Sequence, residues 1–560
     1  MVTTDKLNCN ILAELLESHG IKRVVASPGS RNAPLLLALS SRQSITMSMV
    51  IDERSAAFIA LGMIRESHQP VAIVCTSGTA LLNYAPAVAE AFYEGLPLIV
   101  VSADRPLEWI DQDDSQTIRQ PGALANFVKT TCDIPARIPE RDDQWMAGRL
   151  INDALIIAMR GRKGPVHINI RIDAPLGNSI DTALPDFKVV KEAFAEKISI
   201  GEISPYAEAI ASSPRVMIIA GFMQHSPVIS RILGKMSERD NIVVLTETVA
   251  NVTTSGNIIP AIDLVLRLLP EMDEAYRPDL VITIGGALIS RKIKEFVRGC
   301  HNIRHWHIGR SEHLVDCFRH LSLTLNCDPV EVFGAIYDRI EMLTEAESDY
   351  CIRWKRLYDQ ALWSHKEYVE RVRWSDMKAF DLTLGFLHKY TPSLHFSNGT
   401  PIRYSQLFGY LGFKDVHCNR GVSGIDGSTS TALGASVVHD GITVLLSGDM
   451  SFQYDLSALS SKLMSPRFKM VVIDNNGGGI FRFVKSTADI PGRERFFSSC
   501  MNLPLMKIAE AYNISYFEAS DEAELLNALP QFMDEQERPA LLAIHTPPEY
   551  SADILKRYFD

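Results

Sequence analysis

Several short runs in this chain are apolar at consecutive positions instead of alternate ones. Val71-Ala-Ile-Val-Cys-Thr, Pro97-Leu-Ile-Val-Val-Ser, Arg215-Val-Met-Ile-Ile-Ala-Gly, Asp279-Leu-Val-Ile-Thr-Ile-Gly-Gly, Ile442-Thr-Val-Leu-Leu-Ser and Phe468-Lys-Met-Val-Val-Ile-Asp all read this way. A strand that is apolar on both faces must be covered on both. Segments of helical periodicity between the runs, such as Asn10 to His19 and Ala80 to Tyr93, supply that cover. The expected fold class is therefore α/β, built of mostly parallel sheets flanked by helices.

At 560 residues the chain exceeds what one hydrophobic core organises, so it must divide. The patterning fades from residue 177 to about 205, and charged and aromatic residues (Trp354, Tyr358, Trp363, Tyr368, Trp374) gather between 345 and 380. The second segment reads as an amphipathic helix packed across a boundary. Three domains result, over 1–180, 200–345 and 376–560, the first and third alike in size and alternation.

Apolar residues at 46% and charged residues at 22% are those of a globular protein and exclude collagen-like or wholly disordered classes. A net charge of −11 argues against nucleic acid or an anionic membrane as partner, so any anionic ligand has to meet local arginines. There is no leader-like start, no apolar run long enough to span a bilayer, and no CxxC pair among nine scattered cysteines. These features predict a reduced, cytoplasmic protein without stable membrane insertion.

Chemistry gathers where two strands end. Ser447-Gly448-Asp449 closes one, and Ile473-Asp474-Asn475-Asn476-Gly477-Gly478-Gly479 closes the next, with Asn476 lying 28 residues beyond Gly448. Mg2+ takes near-octahedral oxygen ligands, commonly one or two protein carboxylates plus phosphate oxygens, so an Asp, an Asn amide and a main-chain carbonyl suffice. Upstream, Arg420-Gly-Val-Ser-Gly-Ile-Asp-Gly-Ser-Thr-Ser precedes a helix over Thr431 to Val438. A helix start behind glycines offers N–H groups to a phosphate. No GxxxxGK occurs, which disfavours a P-loop. A lone Asp at a strand end is more often a cap, and Glu53 between Asp52 and Arg54 taken alone is a solvated charge cluster. The Asn-Asn-Gly-Gly run at the adjacent strand end tips the reading toward a metal-diphosphate site.

This pair of motifs resembles the signature of the thiamine-diphosphate-dependent enzymes, Gly-Asp-Gly followed nearly thirty residues later by Asn-Asn, with Met450 here in place of the last Gly. Ser27-Pro-Gly-Ser-Arg-Asn-Ala-Pro, Asp52-Glu-Arg-Ser-Ala-Ala-Phe, Thr76-Ser-Gly-Thr-Ala, Ser102-Ala-Asp-Arg-Pro, Asn419-Arg-Gly and Asp474-Asn-Asn-Gly-Gly-Gly-Ile-Phe resemble, in the same order, its menaquinone-pathway synthase branch, which has a larger residue at that Gly position. The resemblance spans the chain. It implies a decarboxylase-like three-domain fold with pyrimidine-binding, central and diphosphate-binding domains. It also implies thiamine diphosphate with Mg2+ (Mn2+ as substitute), 2-oxoglutarate and isochorismate as substrates, and decarboxylation followed by carbon–carbon bond formation. Because Glu53 and Asp449 lie on different domains, it implies self-association as a homodimer or homotetramer.

By the same resemblance Asp449, Asn476 and the carbonyl of Gly478 ligate the metal. Gly424, Ile425, Gly448, Met450, Ser451 and Ile480 line the cofactor, with Ile425 as the apolar wedge that holds it bent. Glu53 meets a ring nitrogen of the aminopyrimidine, where a carboxyl in a dry cleft holds its proton more readily and can share it with the ring. Both substrates are dicarboxylates, which calls for guanidinium forks; the candidates are Arg31, Arg105, Arg291, Arg403 and Arg420. Ser290-Arg-Lys-Ile-Lys leaves Arg291, Lys292 and Lys294 as alternatives at one position. Ser30 and Gln116 add hydrogen bonds, and Ile480 and Phe481 an apolar wall. Two other readings share the fold: a relative that uses pyruvate as donor, which would not need so many arginines, and a non-catalytic nucleotide-binding protein.

Overall fold

The computed structural model describes residues 2–181, 187–192, 200–269, 273–497 and 503–559. Strand β1 (Thr3–Thr4) pairs antiparallel with β8 (Ser179–Ile180), tying the start of the first unit to its end. Every other strand pair among the described residues is parallel. The first sheet holds β2 (Arg23–Ala26), β3 (Thr46–Met49), β4 (Val71–Cys75), β5 (Leu98–Asp104), β6 (Thr131–Ile134) and β7 (Val166–Arg171), in the order β3-β2-β4-β5-β7-β6. Strands β4 and β5 are buried at every position, as their unbroken apolar runs require. The edge strand β3, Thr-Met-Ser-Met, is half exposed and carries no such run.

The central sheet runs β10-β9-β11-β12-β13, from β9 (Val216–Ala220), β10 (Ile242–Thr246), β11 (Leu280–Ile284), β12 (Arg304–Ile308) and β13 (Leu321–Leu325). The third contains β14 (Ser393–Phe396), β15 (Val416–His417), β16 (Thr443–Gly448), β17 (Phe468–Asp474), β18 (Ser515–Ala519) and β19 (Ala540–His545), in the order β15-β14-β16-β17-β19-β18. Its winding repeats that of the first sheet strand for strand. Such sheets bind ligands outside their carboxyl ends, where the strand order reverses.

One hydrophobic cluster runs from Val25, Phe58 and Val100 of the first unit to Leu433, Leu445 and Val472 of the third, so these two share a core. The seam is a pair of helices, Glu53–Ser67 and Ser428–Val438. A Cβ on Gly62 would lie 1.9 Å from the Thr431 carbonyl oxygen, and one on Gly434 would lie 1.9 Å from that of Ile59. Only glycine permits backbones this close.

Two expected elements differ in detail. The helix read over Ala80 to Tyr93 is two, Ala80–Asn83 and Ala85–Glu94, because Pro86 starts a new first turn. The segment 345–380 likewise forms two helices, Tyr350–Arg371 and Asp376–Leu387, the second capped by Ser375. Trp354 is buried against Tyr276, Phe296 and Tyr350, whereas Trp363 is exposed. Much of the expected 177–205 linker lies outside the described residues. The eight described cysteines are all free thiols.

Candidate active site

Register places the two chemical loops side by side. Gly448, last in β16, pairs with Ile473 in β17, so Asp449 and Asp474 leave their strands together. Asp449 opens a short helix, Asp449–Tyr454, and is 5% exposed. One carboxylate oxygen accepts the Met450 N–H and the other the Gly477 N–H, both at 2.7 Å. The chain then doubles back through three successive left-handed residues, Asn476 (φ 59°), Gly477 (φ 74°) and Gly478 (φ 65°). Asn and Gly adopt that conformation at least cost. The Asn476 amide is exposed and bonds no described side chain. The Gly478 carbonyl accepts the Phe481 N–H at 2.8 Å and keeps a second lone pair.

Burial pushes the Asp449 carboxyl up to about 6, the two N–H donors oppose this, and Asp474 and Asp376 add like charge. A desolvated carboxylate among other acids is compensated by a cation. With one carboxylate, one unbonded amide and one carbonyl around it, the donor set fits a hard divalent ion such as Mg2+. Around it, Asp474 pairs with His545 Nδ1 at 3.0 Å, and Asp376 receives the Asn475 amide at 2.9 Å and the Thr546 hydroxyl at 2.6 Å.

The loop from Asn419 to Ile425 is fixed by its backbone. Asn398 donates to the carbonyls of Asn419 and Gly424, both at 2.7 Å, and its own oxygen receives Arg420 Nη1 at 2.8 Å. Glu90 accepts the N–H groups of Gly421 and Val422, both at 2.7 Å. Ser451 Oγ holds the Ile425 carbonyl at 2.6 Å, while the Ile425 side chain is exposed, as a wedge under a ligand would be. The helix behind this loop differs from expectation. It begins at Ser428, a Cβ on Gly427 would collide with Phe58, and the Ser430 N–H is taken by Asp455 at 2.6 Å. Its first turn serves the helix seam, and the helix start beside Gly477 and Gly478 is that of Asp449–Tyr454.

The five candidate arginines fall into two groups, Arg403 with Arg291 and Arg420, and Arg31 with Arg105. Burial, then Arg291 and Arg420 as charged neighbours, lowers the Arg403 guanidinium from its usual value, against Asp263. Of the three basic residues after Ser290, Lys294 binds the Leu288 carbonyl at 2.7 Å and Lys292 sits over the Phe559 ring, so Arg291 is the one beside Arg403. Ile480 and Phe481 lie on the short helix Gly479–Phe483, half-buried.

A second constellation surrounds the carboxyl ends of the first sheet. Glu53 is the first residue of its helix, which Asp52 caps by accepting the Arg54 and Ser55 N–H groups. Glu53 Oε2 accepts the Asn83 amide at 3.0 Å, with buried Cys75 and Tyr84 close enough to feel its charge. Arg31 binds the Ile172 carbonyl at 2.9 Å; burial and then Arg105 lower its guanidinium from the usual value. Arg105 pairs with Asp114. Gln116 is left-handed (φ 58°) and covers Gly78, where a Cβ would meet its side chain at 3.0 Å. Ser30 is exposed at the end of the loop after β2.

Within one chain the start of the Glu53 helix touches the end of the Asp449–Tyr454 helix, Arg54 donating to the Tyr454 carbonyl at 2.9 Å and Ser55 Oγ lying 2.7 Å from Ser457 Oγ. Residues 9–123 match the thiamine pyrophosphate enzyme N-terminal TPP binding domain and residues 402–544 the C-terminal one. The chain is 39% identical to the 2-succinyl-5-enolpyruvyl-6-hydroxy-3-cyclohexene-1-carboxylate synthase of Porphyromonas gingivalis, over 99% of this chain and 97% of that one. It is 36% identical to the synthase of that name from Flavobacterium johnsoniae (98% and 97%) and 34% identical to that from Bacteroides thetaiotaomicron (99% and 99%). The chain belongs to this synthase family. It is a thiamine-diphosphate-dependent enzyme, as its motifs implied, and its α/β class and three parallel sheets are those expected. No described helix is long and apolar enough to cross a membrane.

Sequence reasoning passed over the residues that hold this synthase's loops: Asn398, Glu90, Asp376 and Asp455. Asn398 lies two residues beyond strand β14, a strand-end polar position that could have been weighed. Glu90, in the middle of an apolar helix, gave only the signal of a charge on a buried face.

Proposed function

We propose that this enzyme decarboxylates 2-oxoglutarate and adds the succinyl unit to isochorismate, giving 2-succinyl-5-enolpyruvyl-6-hydroxy-3-cyclohexene-1-carboxylate and CO2 in menaquinone biosynthesis. The observation that carries this is the guanidinium cluster Arg403, Arg291 and Arg420 beside the strand-end loops of a thiamine-diphosphate fold. Like charges this close repel unless anions neutralise them, and two dicarboxylates do so. A pyruvate-using relative has no need of them.

Thiamine diphosphate, when bound, supplies the carbanion-stabilising chemistry. The chain's residues bind, orient and move protons. Asp449, the Asn476 amide and the Gly478 carbonyl hold Mg2+, with Mn2+ able to replace it, and so anchor the diphosphate. Gly424, Gly448, Met450, Ser451 and Ile480 form the walls, and Ile425 is the wedge. Glu53 holds a proton at its carboxyl oxygen for a ring nitrogen of the pyrimidine. Asn83 orients that carboxyl, which lies beside buried Cys75 and Tyr84. Arg31, Arg105, Arg291, Arg403 and Arg420 receive substrate carboxylates, Ser30 and Gln116 donate hydrogen bonds, and Ile480 and Phe481 exclude water.

Glu53 and Asp449 lie on different units, and we infer, as the family resemblance implies, that the complete site takes one half from each of two chains, in a homodimer or a homotetramer built of such dimers. Residues 1–180 then form the pyrimidine-binding domain, 200–345 the central domain and 376–560 the diphosphate-binding domain. The acidic chain, with no described helix long and apolar enough to cross a membrane, suits a cytoplasmic enzyme of small acids. Measuring CO2 release from 2-oxoglutarate and from pyruvate, each with isochorismate, tests the assignment. Preference for 2-oxoglutarate is expected; preference for pyruvate would overturn it.

A further inference from the structure

At the opposite end of the Glu53–Ser67 helix from Glu53, three side chains converge from distant parts of the chain. Glu66 lies on the last turn, Asp415 just ahead of β15 and His417 within it, and each offers a ligand atom within 4.8 Å of the other two. His417 is buried and the carboxylates are half-buried. Beside them opens a cavity of about 250 Å3 between all three units, lined among others by His68, Lys163, Phe222, Gln224 and His417. That volume admits several waters at roughly 30 Å3 each.

Each carboxylate is met by an imidazole: Asp415 by His417 Nε2, and Glu66 by His439 Nδ1 at 2.6 Å. His395 stacks on His417 with centroids 4.7 Å apart, and His68 and Lys163 complete the charged surroundings. Two carboxylate oxygens and one imidazole nitrogen, with a water-accessible side, are a donor set that zinc accepts, three protein ligands leaving one position for water. Ligand atoms around such an ion stand roughly 3.3 Å apart, a modest closure from the present spacing. The imidazole favours a transition ion over Mg2+.

We propose that Glu66, Asp415 and His417 form a second metal site, for a divalent ion of the zinc type, distinct from the Asp449 site. Its ligands come from the first and third units, so the ion clamps the seam between them. It also fixes the helix whose first residue is Glu53, about 20 Å away along thirteen helical residues.

The test uses the enzyme saturated with Mg2+ and thiamine diphosphate, titrated with ZnCl2 in a calorimeter and, in parallel, with Co2+ while visible absorption is followed. One equivalent per chain is expected in the wild type, with cobalt bands and a raised melting temperature. In Asp415→Asn and in His417→Asn that equivalent weakens at least tenfold and the bands vanish, while turnover without zinc is unchanged. Should either variant unfold, Glu66→Gln, at a half-exposed position, serves in its place. Equal zinc affinity and stoichiometry in wild type and variants, or no zinc equivalent in the wild type, would overturn the proposal.

Discussion

Asp449 illustrates how one buried side chain serves a fold and a ligand together. Both of its oxygens are tied to N–H groups, which aims their remaining lone pairs between the two loops. Asp449→Ala removes the only carboxylate in the Asp449, Asn476 and Gly478 set, so calorimetric titration with Mg2+ and thiamine diphosphate should show binding lost. Glu53 has a different task. Glu53→Gln keeps a hydrogen-bonding group beside Asn83 and removes the exchangeable acid, so the cofactor should still bind while turnover falls by about 10^2 to 10^4-fold. The sequence pointed to these two residues through the family motifs around them, since Glu53 taken alone reads as a solvated charge cluster and a lone strand-end Asp as a cap. Glu90 was not legible, because the N–H it holds on Gly421 lies 331 residues away along the chain. Local pattern does not report a contact made only after two domains have packed.

Pairing of the Glu53–Ser67 and Ser428–Val438 helices rests on Gly62 and Gly434. Gly434→Ala would drive a methyl into the Ile59 carbonyl and force the helices apart, at a cost of about 3 kcal/mol or more, read as a lowered melting temperature. Asp455 caps the second helix through the Ser430 N–H and hydroxyl, and burial pushes its carboxyl up to about 7. The ordinary value is 3.8, so between about 4 and 7 the native chain holds a proton that the unfolded chain has released. The stability this supplies is full below about 4 and is lost as pH rises through about 7. Wild-type melting temperature should therefore fall more between pH 5 and pH 8 than that of Asp455→Asn; an equal fall would show that Asp455 does not titrate there. At this scale the long apolar strands were legible and the short edges were not. Strands β3 and β15 are held by sheet hydrogen bonds more than by apolar patterning, and Pro86 divides a helix whose periodicity runs on through it.

Across the whole molecule, the first and third sheets share one winding and one core, and the residues proposed to hold the cofactor lie in the loops at both sets of carboxyl ends. The sequence hinted at this likeness only as similar size and alternation, since strand order is set by pairing that no local run encodes. In the proposed dimer the Glu53 half of one chain meets the Asp449 half of another, and twofold symmetry then completes two sites at once. Mixing Glu53→Gln and Asp449→Ala chains tests this most directly, after dissociation and reassociation. Each variant alone should be inactive. In a mixed dimer one site unites the intact Glu53 of one chain with the intact Asp449 of the other, so random pairing should restore about a quarter of wild-type turnover of 2-oxoglutarate with isochorismate. A mixture as inactive as its components, once exchange of chains is demonstrated, would contradict the shared site.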